Sequence, residues 1–156
     1  MGRQGNRNER NEREGIGMRV MAIDYGDART GVAISDATGM LAGFTTVIRG
    51  RDSQRVLEEI EELIAAHGVD ELVMGFPRNM DGTEGPRAEL YRDFAALVED
   101  TAGLRPVLWD ERRTTVDAHR ILFEAGKNAR KRKKTVDAVA ASLILEGYLD
   151  HRRLRG

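Results

Sequence analysis

The chain has 156 residues, no cysteine and a formal net charge of −1 at pH 7. That length suits one domain with its own core, and the lack of thiols excludes a disulfide framework and any thiolate metal site, in keeping with a cytoplasmic location. No apolar run approaches the roughly 20 residues of a membrane-spanning helix, so no membrane partner is expected, and the near-neutral total gives no global electrostatic argument for nucleic acid.

Met1 to Gly17 alternates Arg, Asn, Glu and Gly, with no apolar stretch that could serve as a secretion signal. Its small apolar content cannot offset the entropy of ordering, so 1–17 is expected to be a disordered extension and 18–156 a single folded domain. Arg19 to Tyr25 and Thr30 to Ser35 read as strands joined by a tight turn, and Phe44 to Ile48 as a third, all three pairing antiparallel. Gln54 to His67 changes to helical spacing, with Val56, Ile60, Leu63 and Ile64 on one face and Gly68 as the stop. Glu71 to Phe76 is a buried-strand pattern. A helix is expected from Pro86, with Leu90, Phe94 and Leu97 inward, and Val107 to Trp109 is the fifth strand. Thr114 or Thr115 caps a helix running to Glu124, and a last helix spans about Thr135 to His151, with Val136, Val139, Ala140, Leu143, Ile144 and Tyr148 as its apolar stripe. The order βββαβαβαα implies an α/β fold: a mixed five-stranded sheet, an antiparallel meander followed by helix-linked strands, flanked by helices.

Four places could carry chemistry. Asp24 interrupts the apolar run Val20, Ala22, Ile23 and is followed by Gly26, putting a carboxylate and backbone N–H groups at the sheet rim. An ordinary turn aspartate is the competing explanation, but a half-buried carboxylate is costly unless paired or bound to a cation. Asp110 and Glu111 leave the end of the fifth strand, just before threonines that could simply cap a helix. Asp137 lies early in the last helix, in phase with Ala140 and Ile144; the helix dipole would explain an acid there, and so would a metal site facing the sheet. The loop Gly75 to Pro86 carries Arg78 and Asn79 into a helix start, a place where N–H groups attract phosphate.

A basic run from Lys127 to Lys134 includes Arg130, Lys131, Arg132, Lys133 and Lys134. Most such runs are solvated faces. This one directly precedes Asp137, which favours phosphate binding, and it lacks the aromatics that base stacking needs.

Four segments in order, Ala-Ile-Asp-Tyr-Gly-Asp-Ala-Arg-Thr-Gly-Val-Ala-Ile-Ser-Asp, Gly-Phe-Pro-Arg-Asn-Met-Asp-Gly-Thr-Glu-Gly, Asp-Glu-Arg-Arg-Thr-Thr and Lys-Lys-Thr-Val-Asp-Ala-Val-Ala-Ala, closely resemble the bacterial YqgF/RuvX family. The resemblance spans Met18 to Arg152 and implies an RNase H-like fold and a nuclease, described as maturing the 5′ end of 16S ribosomal RNA or, in an older assignment, as a Holliday-junction resolvase. Carried over by position, it implies Mg²⁺ or Mn²⁺ held by Asp24, Asp137 and one of Asp110 and Glu111, with Gly26, Arg29, Arg78, Asn79 and the basic run near the phosphates. Phe76 stands where many members have leucine. The acid that many RNase H-like enzymes carry on the fourth strand is missing from Leu72 to Phe76, so the fifth-strand pair must supply that ligand. The implied partner is precursor ribosomal RNA or branched DNA. Cutting a symmetric junction would call for a homodimer. Two other readings compete: an ATPase module, which needs a second domain for which 156 residues leave little room, and a non-catalytic RNA-binding factor using the basic run alone.

Overall fold

The strand-like runs form one five-stranded sheet in the computed structural model, which describes residues 18–39, 42–79, 81–110 and 129–155. The strands are β1 (Val20–Asp24), β2 (Arg29–Ser35), β3 (Ala42–Arg49), β4 (Glu71–Phe76) and β5 (Val107–Asp110), in the spatial order β3-β2-β1-β4-β5. As expected, the first three form an antiparallel meander. β4 then joins β1 in parallel and β5 joins β4 in parallel, because each is reached through a helical crossover. The central strands are apolar on both faces, as a sheet covered on both sides requires: Val20, Met21, Ala22 and Ile23 are fully buried.

Three helices lie among the described residues: α1 (Ser53–His67), α2 (Ala88–Ala102) and α3 (Ala129–Arg155). α1 starts where Asp52 accepts a hydrogen bond from the Gln54 N–H at 3.1 Å and stops at Gly68, whose φ of 66° is left-handed. α1 and α2 cover one face of the sheet, meeting Met21, Ile23, Val32, Ile34, Leu72 and Met74, while α3 covers the other, over Val20, Ala22, Ala33, Val73 and Trp109. The period of two along each strand divides the core in this way. No helix among the described residues is long and apolar enough to cross a membrane. The extension expected over 1–17 and the helix expected from Thr114 or Thr115 to Glu124 lie outside the described residues.

Two helical faces differ from the expectation. On α2 the inward stripe is Ala88, Tyr91, Phe94 and Val98, and Leu90 and Leu97 are 41% and 44% exposed. Both stripes satisfy helical spacing. The aromatic one faces inward because Tyr25, at the end of β1, stacks on Phe94 with ring centroids 3.9 Å apart and meets Tyr91 edge-on. On α3 the helix begins at Ala129 rather than Thr135, and its buried residues are Ala138, Ala141, Leu143, Ile144, Leu145, Tyr148 and Leu149. Val139 and Ala140 are only partly buried. Small Ala141, fully buried, packs in one cluster with small Ala22 and Ala33, so the row of Ala141, Ile144, Leu145 and Tyr148 takes the sheet face and Val139 is left at its side.

The C-terminal half of α3 is tied to the start of β4. The Tyr148 hydroxyl donates to Glu71 Oε1, and Arg152 donates to Glu71 Oε2 at 2.9 Å. Burial, then the hydrogen bond to Glu71, push the Tyr148 phenol up to about 12. The raised folded value means the neutral phenol stabilises the fold fully below its unfolded value of 10.0, and that contribution is lost as pH rises through about 12. Tyr148→Phe is therefore expected to cost about 1–3 kcal/mol near neutral pH. In denaturant titrations the gap between parent and variant should stay constant up to pH 10 and shrink between pH 10 and about 12; a gap that does not narrow would refute the linkage.

Candidate active site

Asp24 and Asp110 are the last residues of β1 and β5, which run in the same direction on either side of β4. Ile23 is level with Met74 and Asp110 with Phe76, so the two acids end at the same edge of the sheet, their backbones about two strand spacings, roughly 10 Å, apart. They leave on different faces. Asp24 continues the row Val20–Ala22 that meets α3, whereas Asp110 follows Trp109, which packs against Tyr148 and His151 of α3, and so turns toward the α2 side. Asp24 is partly buried, as the sequence suggested for an acid ending an apolar strand.

Position 137 lies on the helical row of Ala141, Ile144 and Tyr148 and precedes fully buried Ala141 by about 6 Å of helix axis. Its side chain, those of Arg130, Lys131, Arg132, Lys133 and Lys134, and the whole of Glu111 lie outside the described residues. Among the described residues no group of three or more His, Cys, Asp or Glu stands ready for a metal.

The turn after Asp24 needs its glycine. A Cβ on Gly26 would meet the Arg29 carbonyl oxygen at 2.4 Å, a backbone contact with nowhere to retreat. Arg29 opens β2 with an exposed side chain. Arg78 and Asn79, expected near phosphate, hold their own loop closed: Arg78 donates to the Gly82 carbonyl at 3.1 Å and lies over the Phe76 ring, and the Asn79 amide donates to Thr83 Oγ1 at 3.0 Å. Both are exposed, so their remaining donors face solvent beside the rim.

Contacts absent from the sequence reading tie this rim together. Arg87, the residue capping α2, pairs with Asp27 at 3.3 Å, a hydrogen bond that holds the guanidinium more firmly protonated. Tyr91 of α2 donates its hydroxyl to the Tyr25 carbonyl at 2.9 Å. Pairs 60 and 66 positions apart leave no periodic trace, so nothing local could have found them. A cavity of about 340 Å³ between α2 and β5 lies on the face away from Asp24; its acid, Glu99, is paired with Arg105.

A meander continued by two parallel strands, with a central strand ending in a carboxylate under a long helix, defines an RNase H-like α/β domain. Solved structures share that layout at low identity: RuvC from T. thermophilus in complex with a Holliday junction substrate has a TM-score of 0.60 at 12% identity, covering 86% of this chain and 96% of that one. The Fowlpox virus resolvase in complex with Holliday junction DNA has a TM-score of 0.53 at 8% identity, covering 86% and 99%. A profile of the family described as "RuvX: Holliday junction resolvase" matches residues 18–151, and the chain belongs to that family. Relatives from Carboxydothermus hydrogenoformans (47% identical, covering 86% of this chain and 98% of the relative) and Halothermothrix orenii (48%, covering 86% and 96%) each bear the name "Putative pre-16S rRNA nuclease".

Proposed function

We propose that this chain is a metal-dependent phosphodiester hydrolase that trims structured precursor ribosomal RNA in the cytoplasm, acting as one domain over 18–156. The observation that carries the reading is Asp24: a partly buried carboxylate ending a fully buried central strand, on the face covered by the helix that bears Asp137. The companion ligand comes from the pair that leaves the end of β5, Asp110 or Glu111, at the sheet edge where β1 ends in Asp24. Carboxylates with no thiolate are a donor set for a hard divalent cation, Mg²⁺ or Mn²⁺. When bound, that ion offsets the charge developing on the phosphate and makes water a better nucleophile.

The chain's own residues then have separate tasks. Asp24, Asp137 and one of Asp110 and Glu111 supply the negative charge that retains the cation. Gly26 keeps the turn tight beside them. Arg29 and the run Arg130 to Lys134 attract the backbone of the nucleic acid, while Arg78 and Asn79 contribute donors from the closed loop at the rim. The names borne by the relatives support precursor 16S RNA as the substrate.

The family description supports a second reading, resolution of branched DNA by a homodimer. The deciding experiment incubates the purified protein with a precursor ribosomal RNA and with a four-way DNA junction, each with and without Mg²⁺. Trimming of the RNA only in Mg²⁺ is expected. Paired nicking of the junction by a stable dimer transfers the assignment to resolution. Salt-sensitive RNA binding with no cleavage of either substrate leaves a non-catalytic binding factor.

A further inference from the structure

We infer that Tyr91 is a positioning residue for the Asp24 carboxylate, acting through the backbone of Tyr25; this rests on the nuclease reading above. The ladder between β1 and β4 is paired up to Ile23, and that between β1 and β2 up to Asp24. The sheet therefore grips the chain on two sides at Ile23 and on one side at Asp24. The next carbonyl, that of Tyr25, is held from outside the sheet, by the Tyr91 hydroxyl at 2.9 Å.

Packing makes that grip directional. Tyr91 is 7% exposed, and its ring stands edge-on to the Tyr25 ring at 5.5 Å, while Phe94 stacks beneath Tyr25 at 3.9 Å. Tyr25 is thus clamped toward α2. Consecutive residues of a strand point to opposite faces, so a fixed Tyr25 sets the direction in which Asp24 leaves toward α3. One residue further, Gly26 closes against the Arg29 carbonyl, and the turn cannot drift to compensate. The Arg87–Asp27 pair reinforces the same turn from α2, but both side chains are more than half exposed or nearly so, at 50% and 61%, and solvent weakens it. Tyr91 does for a backbone carbonyl beside a ligand what an outer hydrogen-bonding partner does for the ligand itself: it limits the orientations from which the cation must select.

Tyr91→Phe keeps the ring contacts and deletes the hydroxyl, which holds the Tyr25 carbonyl and also faces the Arg87 guanidinium. Mn²⁺ affinity measured by calorimetry, and separately the Mg²⁺ concentration giving half-maximal cleavage, should each weaken by about tenfold or more, with the rate at saturating metal near that of the parent. Tyr148→Phe is the matched control. It removes a hydroxyl bound to Glu71 at the other end of the sheet, so it should lower thermal stability similarly and leave both metal constants unchanged. Arg87→Ala removes the second contact of the Tyr91 hydroxyl and spares the first, so both metal constants should stay near the parent's; equal weakening there would assign the effect to Arg87 and overturn the inference. If the parent binds and cleaves but Tyr91→Phe keeps the parent's constants, Tyr91 is only a packing residue and the inference fails while the nuclease reading stands. Equal weakening in both tyrosine variants also overturns it, as general loosening. A parent that binds no Mn²⁺ and cleaves nothing overturns both readings together.

Discussion

Asp24→Asn is expected to reduce Mg²⁺-dependent cleavage by at least about a hundredfold, since even partners one step removed from a metal are worth 10–100-fold. The substitution keeps the size and shape of the side chain and removes the charge that retains the cation. Folding should survive it. Asp24 sits at the open end of β1, after the buried run Val20 to Ile23, and Asn can occupy the same space. The thermal midpoint should stay within about 4 °C of the parent, equivalent to roughly 1 kcal/mol for a domain of this size. RNA binding in a filter assay should persist, because the basic run is untouched. A variant that cuts at the parent's rate removes Asp24 from the site, and with it the case for catalysis at this rim.

The largest expected loss of stability comes from Leu145→Ala. Leu145 is fully buried between α3 and the sheet, in one cluster with Val20, Ala22, Ala33 and Trp109. Truncating such a side chain removes apolar burial and leaves a cavity that Ala22 and Ala33 are too small to refill, at a cost of about 2–5 kcal/mol. At about 2–4 °C per kcal/mol, the midpoint should fall by roughly 4–20 °C. Position 137 is carried on the same helix, so cleavage should also fail at a lower temperature than in the parent. Leu97→Ala is the contrast. Leu97 is 44% exposed on α2, and its truncation should stay within about 0.5 kcal/mol. Equal costs for the two would mean that α3 is not held by its Leu145 face.

Expectation and structure agree most closely where one period dominates. Gln54 to His67 has a single apolar stripe and a glycine that only a left-handed stop requires, and α1 occupies nearly those residues. The strand Glu71 to Phe76 was readable from end to end because a central parallel strand is apolar on both faces. α2 shows the limit. Leu90, Phe94 and Leu97 make as good a helical stripe as Tyr91, Phe94 and Val98, and only the presence of Tyr25 across the core favours the second. The candidate site divides similarly. Asp24 was legible as a carboxylate where a strand should be burying itself, whereas the grip of Tyr91 on Tyr25 joins residues that no local pattern relates.

By itself the sequence determined where the five strands and, among the described residues, the three helices run, the antiparallel start of the sheet, and the acids worth attention, because periodicity and the cost of a buried charge act within a few residues. Tertiary structure alone decided the order β3-β2-β1-β4-β5, the opposite faces of Asp24 and Asp110, and the side of α2 that turns inward. Those depend on which distant surfaces meet, and contact free energy between elements dozens of residues apart leaves no mark on the spacing within either one.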